Sequence, residues 1–202
     1  MLCATYLQQS KTCYGMTEKI IAYLILLSFF LMDFVIRKDK TAKSVERTKD
    51  DNKSTNFILL TFFVVLILSA VLNFFEFGIF KNIQVARVGI LIMVIGISIR
   101  IISMLTLSRY YTRTLITVNN QELVKKGIYR TIRHPGYLGT ILIWGFAGLA
   151  MQNLFIFLVA IILVLTAYYY RIVNEEKMLL TTFADKYLEY KKQSWRLLPF
   201  IW

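Results

Sequence analysis

The sequence predicts an all-α, polytopic integral membrane protein of about five transmembrane helices. Three observations carry this. Hydrophobic residues make up 57% of the 202-residue chain, against roughly 45–50% in an average soluble domain. Only two prolines and nine glycines interrupt it. The apolar residues gather into long runs separated by basic segments, as expected of helices that satisfy their own backbone hydrogen bonds in lipid. One membrane-embedded domain over residues 1–202 is expected, with three N-terminal helices in 17–107 and a polar, chemistry-bearing region in 108–202.

The first apolar run, Ile20 to Ile36, is too long for a typical signal-peptide core and lacks a small-residue cleavage site, so it reads as a retained span. Met16-Thr17-Glu18 reads as a natural start and helix cap, so residues 1–15 are expected to contribute little. The second run is Phe57 to Phe80 and the third about Val85 to Leu107. The fourth and fifth, Tyr137 to Met151 and Leu154 to Tyr170, are separated only by Gln152-Asn153. A crossing needs roughly 20 residues. The last two runs are therefore read as a tight helical hairpin extended by amphipathic residues, with a re-entrant pair as the alternative. The polar stretch Arg37 to Asn56 mixes both charge signs and is expected to be a flexible or amphipathic connector. Glu76 and Arg100 fall inside spans. Charges there are functional suspects, but each is expected to lie near an interface or to meet a partner across the bundle.

The net charge is +12, from 24 Lys and Arg against 12 Asp and Glu. The basic residues cluster beside apolar spans rather than in one basic domain, which points to anionic lipid and away from nucleic acid. If all five runs cross, one side receives the loop with Arg37, Lys38, Lys40, Lys43, Arg47, Lys49 and Lys53. The same side receives Arg109, Arg113, Lys125, Lys126, Arg130 and Arg133, and the tail with Arg171, Lys177, Lys186, Lys191, Lys192 and Arg196. The other side holds Lys11, Lys19, Lys81 and Arg87. The positive-inside rule then places the C-terminus and both large loops in the cytoplasm.

Cys3 and Cys13 make no disulfide framework or metal cluster, and His134 is the single histidine, so no histidine-built zinc site and no metal are expected. The C-terminal Phe200-Ile201-Trp202 is not a prenylation box.

The specific polar residues lie between Gln121 and Pro199. The stretch Gln121-Glu122-Leu123-Val124-Lys125-Lys126-Gly127-Ile128-Tyr129-Arg130 leads into Thr131-Ile132-Arg133-His134-Pro135-Gly136-Tyr137-Leu138-Gly139. Proline biases the residue before it to an extended conformation and suits the first turn of a helix. Arg133-His134 should therefore form an extended turn, and the fourth helix should begin at Pro135. Gly136 and Gly139 share a helix face and would allow close approach of a ligand or another helix. A helix N-terminus also offers free N–H groups suited to a carboxylate. A lone His beside a Pro is more often structural than functional. The fifth helix closes with Tyr168-Tyr169-Tyr170-Arg171-Ile172-Val173-Asn174-Glu175-Glu176. Arg171 and Glu175 are i,i+4 neighbours on one face, either a surface ion pair or part of a site. Phe183, Tyr187 and Tyr190 recur at helical spacing, as an aromatic stripe against the membrane or the bundle.

The order Gly127-x-Tyr129-x3-Arg133-His134-Pro135-x-Tyr137-x-Gly139, an apolar hairpin, Glu175-Glu176, then Phe183-x3-Tyr187-x2-Tyr190 with Pro199, resembles the isoprenylcysteine carboxyl methyltransferase family. It is also similar to the wider group of membrane phospholipid methyltransferases. The match covers about Gln121 to Trp202, and the first three spans match only in being spans. The resemblance implies a cytoplasmic catalytic segment that binds S-adenosylmethionine and releases S-adenosylhomocysteine. Carried over, His134, Pro135, Gly136 and Tyr137 form the cofactor turn, and Tyr129 with Gln121, Glu122, Leu123 and Val124 lines the adenosine side. Glu175 contacts the cofactor and Arg171 faces the substrate, the two together being the catalytic residues. No glycine-rich GxGxxG loop follows a strand, so a membrane-type pocket is needed.

Methyl transfer from a sulfonium is an in-line displacement, and the protein mainly aligns the groups and excludes water. A carboxylate acceptor is ionised at pH 7 and needs a cationic clamp, for which Arg is well suited. An amine acceptor must first lose a proton, so an acidic site is expected. Arg171 favours a carboxylate. The expected reaction is O-methylation of the C-terminal carboxylate of an isoprenylated cysteine or a similar lipid-linked carboxylate, the tail entering from the bilayer. Glu175 and Glu176 keep a phospholipid amine N-methyltransferase open, and a sterol-reductase-like oxidoreductase shares a similar tail.

Overall fold

The computed structural model describes residues 2–36, 49–107 and 123–199. Among these residues seven α-helices follow in chain order: α1 (Leu2–Ile36), α2 (Lys49–Phe74), α3 (Ile83–Leu107), α4 (Pro135–Gly145), α5 (Ala147–Ala150), α6 (Leu154–Phe183) and α7 (Asp185–Gln193). A 3₁₀ turn, Gly127–Arg130, precedes α4. Among the described residues the only β pairings are two isolated bridges.

Parts of α1, α2, α3 and α6 are long and apolar enough to cross a membrane, and Pro135–Ala150 adds a shorter apolar helical segment. These helices are apolar on nearly all sides. Phe63, Ile67, Leu105 and Ile162 each leave more than 60% of their surface exposed. Such faces are stable against lipid and would be costly in water. The protein is an all-helical integral membrane protein, and its C-terminal hairpin is the pair α4–α5 and α6.

Several boundaries differ from expectation. Met16-Thr17-Glu18 does not cap a helix but lies inside α1, because an established helix gains one hydrogen bond per added residue and no proline stops it. The expected connector after the first span yields its last residues, from Lys49, to α2, and the rest lies outside the described residues. The second span stops at Phe74 rather than Phe80. Glu76 and Gly78 take positive φ, 53° and 76°, in the turn that follows, and Glu76 is exposed there rather than inside a span. The fourth run breaks at Phe146 into α4 and α5. The fifth runs on past Tyr170 to Phe183.

The core sits where α1, α2 and α4 meet. The Phe62 and Trp144 rings stack at 4.2 Å, and Phe29 and Phe30 meet Trp144 edge-on at 5.8 and 5.5 Å. Helix α3 crosses α4 on small residues. A Cβ on Gly96 would lie 2.7 Å from the Gly139 oxygen, and one on Gly139 would lie 2.6 Å from the Gly96 oxygen. Backbones that approach this closely pack through van der Waals contact, which membrane helices rely on in place of the hydrophobic effect. The Gly136–Gly139 face therefore serves helix packing.

Candidate active site

Two backbone segments frame the site. The Arg133 N–H donates to the Trp195 carbonyl at 2.8 Å, His134 N–H to Arg196 O at 3.2 Å, and Trp195 N–H to Thr131 O at 2.8 Å. The tail after α7 thus pairs in parallel with the segment before α4. Pro135 occupies the first turn of α4, as its sequence position predicts, and His134 precedes it with φ −123° and ψ 55°. The turn is fixed from above by the tail and from below by α3.

His134 is buried between the two glutamates of α6. Its Nδ1 lies 3.5 Å from Glu175 Oε2 and its Nε2 3.5 Å from Glu176 Oε1. These are ion-pair separations, longer than a good N–H···O hydrogen bond. Burial alone would lower the imidazole pKa. The Glu175 and Glu176 carboxylates outweigh burial and hold it above its ordinary 6.5. The imidazole lies parallel to the Tyr137 ring, with centroids 5.5 Å apart.

The two glutamates differ. Glu176 is buried and accepts from Arg133 Nε at 3.1 Å and from Arg196 Nη2 at 2.8 Å, with Lys191 Nζ at 3.7 Å. Arg133 also donates through Nη1 to the carbonyls of Lys191, at 3.2 Å, and Ser194. Glu176 is the hub that ties α6, the α7 tail and the turn before α4. Glu175 is more open, and its Oε2, like His134 Nε2 and Asn174 Nδ2, is buried without a hydrogen-bond partner. Buried polar atoms without a hydrogen bond are costly, and they are where a polar ligand would fit. Around the tail, Arg133, Lys191, Lys192, Ser194, Trp195 and Arg196 line a basic cleft of about 330 Å³.

Arg171, one turn before Glu175 on α6, is buried with 2% exposure. Its Nε donates to the Tyr137 hydroxyl at 3.2 Å, and its Nη1 to Ser54 Oγ at 2.9 Å and Thr55 Oγ1 at 3.1 Å. His134, Tyr137, Arg171 and Glu175, which the sequence singles out, are thus brought together.

The other expected residues take supporting places. The buried Tyr129 pairs its hydroxyl with Ser103 Oγ at 2.9 Å, and its carbonyl accepts from the Tyr190 hydroxyl at 2.5 Å. Burial pushes the Tyr190 phenol up to about 12, which keeps it a donor. Gly136 is pressed against α3, where a Cβ would lie 2.7 Å from Ser103 Oγ. Leu123 and Val124 are half-buried ahead of the 3₁₀ turn. Gln121 and Glu122 lie outside the described residues. The expected aromatic stripe is split, because Ala184, at φ 43°, ends α6 after Phe183, and Tyr187 and Tyr190 are buried on α7.

Asn174, Lys191, Ser54 and Thr55 were not legible as site residues, and Arg196 stood out only as a charge of the tail. Arg100 carried a signal, as a charge inside a span. It is buried, donates to Gly136 O at 3.1 Å and Thr140 Oγ1 at 2.7 Å, and lies 4.8 Å from the Phe29 ring centre. It meets its partners across the bundle and pins the first turn of α4. Among the described residues, no three His, Cys, Asp or Glu side chains are grouped to hold a metal.

This chain is similar to known proteins over most of its length. Residues 88–181 match the model of the isoprenylcysteine carboxyl methyltransferase family. A rice protein (Oryza sativa subsp. indica), named a probable protein-S-isoprenylcysteine O-methyltransferase, is 32% identical over 168 residues, covering 82% of this chain and 84% of that one. Protein-S-isoprenylcysteine O-methyltransferase A of Arabidopsis thaliana is 27% identical over 186 residues, covering 88% and 91%. A solved eukaryotic intramembrane Ras methyltransferase, an isoprenylcysteine carboxyl methyltransferase, superposes with a TM-score of 0.64 at 25% identity. That match covers 69% of this chain and 52% of the solved one, so this chain corresponds to about half of that protein. The likeness reaches well ahead of Gln121, into the spans where the sequence reading found none beyond their being spans.

Proposed function

Because this chain belongs to the isoprenylcysteine carboxyl methyltransferase family, we propose that it transfers a methyl group from S-adenosylmethionine to the C-terminal carboxylate of an isoprenylated cysteine. The observation that carries the acceptor is Arg171, a buried guanidinium beside the His134–Tyr137–Glu175 cluster. A fixed guanidinium matches a carboxylate in a fork geometry. The acceptor is already ionised at neutral pH, so no general base is required.

S-adenosylmethionine fits the polar atoms of His134, Asn174 and Glu175 that make no hydrogen bond within the protein. When bound it supplies a methyl group activated by a sulfonium, and S-adenosylhomocysteine is the product. Glu175 offers a carboxylate oxygen to its ammonium group or ribose. Glu176, saturated by Arg133, Arg196 and Lys191, holds the frame. His134 and Tyr137 form one wall, and Arg171 orients the acceptor through its carboxylate. The prenyl tail stays in lipid beside α2 and α6. The basic loops, by the positive-inside rule, put this end of the bundle in the cytoplasm.

Detergent-purified protein given methyl-labelled S-adenosylmethionine and N-acetyl-S-farnesylcysteine should form a base-labile labelled methyl ester. His134→Ala and Glu175→Ala should each weaken S-adenosylmethionine binding in calorimetry by about tenfold or more, ~1.4 kcal/mol. Label in phosphatidylethanolamine instead would favour an amine acceptor, the chemistry that the open Glu175 carboxylate would serve. Absence of S-adenosylmethionine binding to folded protein, with the acceptor present, would overturn the donor.

A further inference from the structure

Ser54 and Thr55 open the membrane-spanning part of α2, a helix that contributes nothing to the sequence motif. Ser54 is fully buried. Exposed hydroxyls on these helices turn back on their own chain: Ser98 donates to Val94 O at 3.0 Å, Thr106 to Ile102 O at 2.7 Å and Thr166 to Ile162 O at 2.8 Å. Those of Ser54 and Thr55 face α6 and both receive one guanidinium nitrogen, Arg171 Nη1. The Tyr137 hydroxyl on α4 receives Nε. Two helices therefore fix one cation carried by a third.

Oxygens of this kind orient a guanidinium without neutralising it. Their hydrogen bonds offset part of the cost of burying Arg171 and fix the direction of its guanidinium. A freely rotating arginine would lose side-chain entropy on binding, and one already held does not.

We propose that Ser54 and Thr55 are positioning residues for the methyl acceptor: they hold the Arg171 guanidinium in the plane that meets the acceptor carboxylate. This rests on the reading of Arg171 given under Proposed function. It makes α2 part of the acceptor site, so recognition of the carboxylate joins α2, α4 and α6.

The test is steady-state methylation of N-acetyl-S-farnesylcysteine by the full-length protein, with calorimetry of S-adenosylmethionine binding. The variants are Ser54→Ala with Thr55→Val, Thr55→Val alone, Ser54→Thr and Arg171→Lys. The double variant should raise the acceptor KM about tenfold, ~1.4 kcal/mol, and leave S-adenosylmethionine affinity unchanged. Thr55→Val should show part of that rise, and serves alone if the double variant does not fold. Ser54→Thr, which keeps the hydroxyl, should stay near wild type. An unchanged acceptor KM, or a parallel loss of S-adenosylmethionine affinity, would overturn the positioning role. If Arg171→Lys raises the acceptor KM and the hydroxyl variants do not, the positioning role alone falls. If Arg171→Lys has no effect either, the acceptor reading of Arg171 falls first.

Discussion

At one end of the bundle the turn after α2 pairs with the turn before α6, through Ile79 and Asn153. At the other the segment before α4 pairs with the tail after α7, through Ile132 and Trp195. The first closure is completed by a neutral side chain. Asn153 caps α6 by accepting from Ile156 N at 3.1 Å and donates to Phe77 O at 2.8 Å. The second is completed by charges, with Arg133 and Arg196 converging on Glu176 beside a buried histidine. A neutral cap satisfies the backbone at little electrostatic cost. Buried charges cost desolvation and add little net stability, so their presence at one end calls for a functional reason. The difference teaches where to look for chemistry in a chain whose ends share one backbone device.

The largest expected effect tests the charged closure. Glu176→Gln removes the carboxylate charge on which Arg133 and Arg196 converge. It should lower stability by about 3 kcal/mol, since removing one partner of a buried pair costs roughly that. Thermal unfolding in detergent reads this, and an unchanged midpoint would mean that the tail is held by its backbone pairing alone. Next is the neutral closure. Asn153→Ala removes a helix cap and the bond to Phe77, for an expected loss of about 1–2 kcal/mol, while S-adenosylmethionine affinity, measured in parallel, stays constant. A fall in affinity would show that the two ends are coupled.

The smallest effect is in pH. His134 has a raised pKa in the folded protein. The stability it adds is therefore fully present below its unfolded value of about 6.5 and is lost as pH rises through the raised folded value. The unfolding midpoint should decline over that window in wild type, and the decline should be shallower in His134→Gln. Asn153→Ala should leave its slope unchanged, which separates the titrating end from the neutral one.

Much of this was legible before any coordinates. The Arg133-His134-Pro135 turn, the start of a helix at Pro135 and the shared face of Arg171 and Glu175 follow from local rules, namely proline's restriction on its neighbours and the i,i+4 spacing of a helix; that His134 and Tyr137 meet that face was implied by the family resemblance alone. The distinction between adjacent glutamates was not legible. Glu175 and Glu176 are equivalent in sequence, and only the approach of Arg133 and Arg196 from other elements makes one a hub and leaves the other open. The start of α2 was misread because mixed polar residues signal a connector equally well when they begin a helix. The end of the second span was misread because an apolar run does not show where a positive-φ turn will end the helix.

By itself, then, the sequence determined the all-helical membrane class, the hairpin and the polar turn before α4. Apolar runs and proline act within a few residues of themselves, so such features need no distant partner. Only the tertiary structure decided that Arg100 pins that turn, that Tyr129 and Gly136 lean on Ser103, and that Ser54 and Thr55 reach Arg171. Those pairs are brought together by helix crossings, where small residues let backbones meet, and no spacing along the chain encodes which hydroxyl will face which charge.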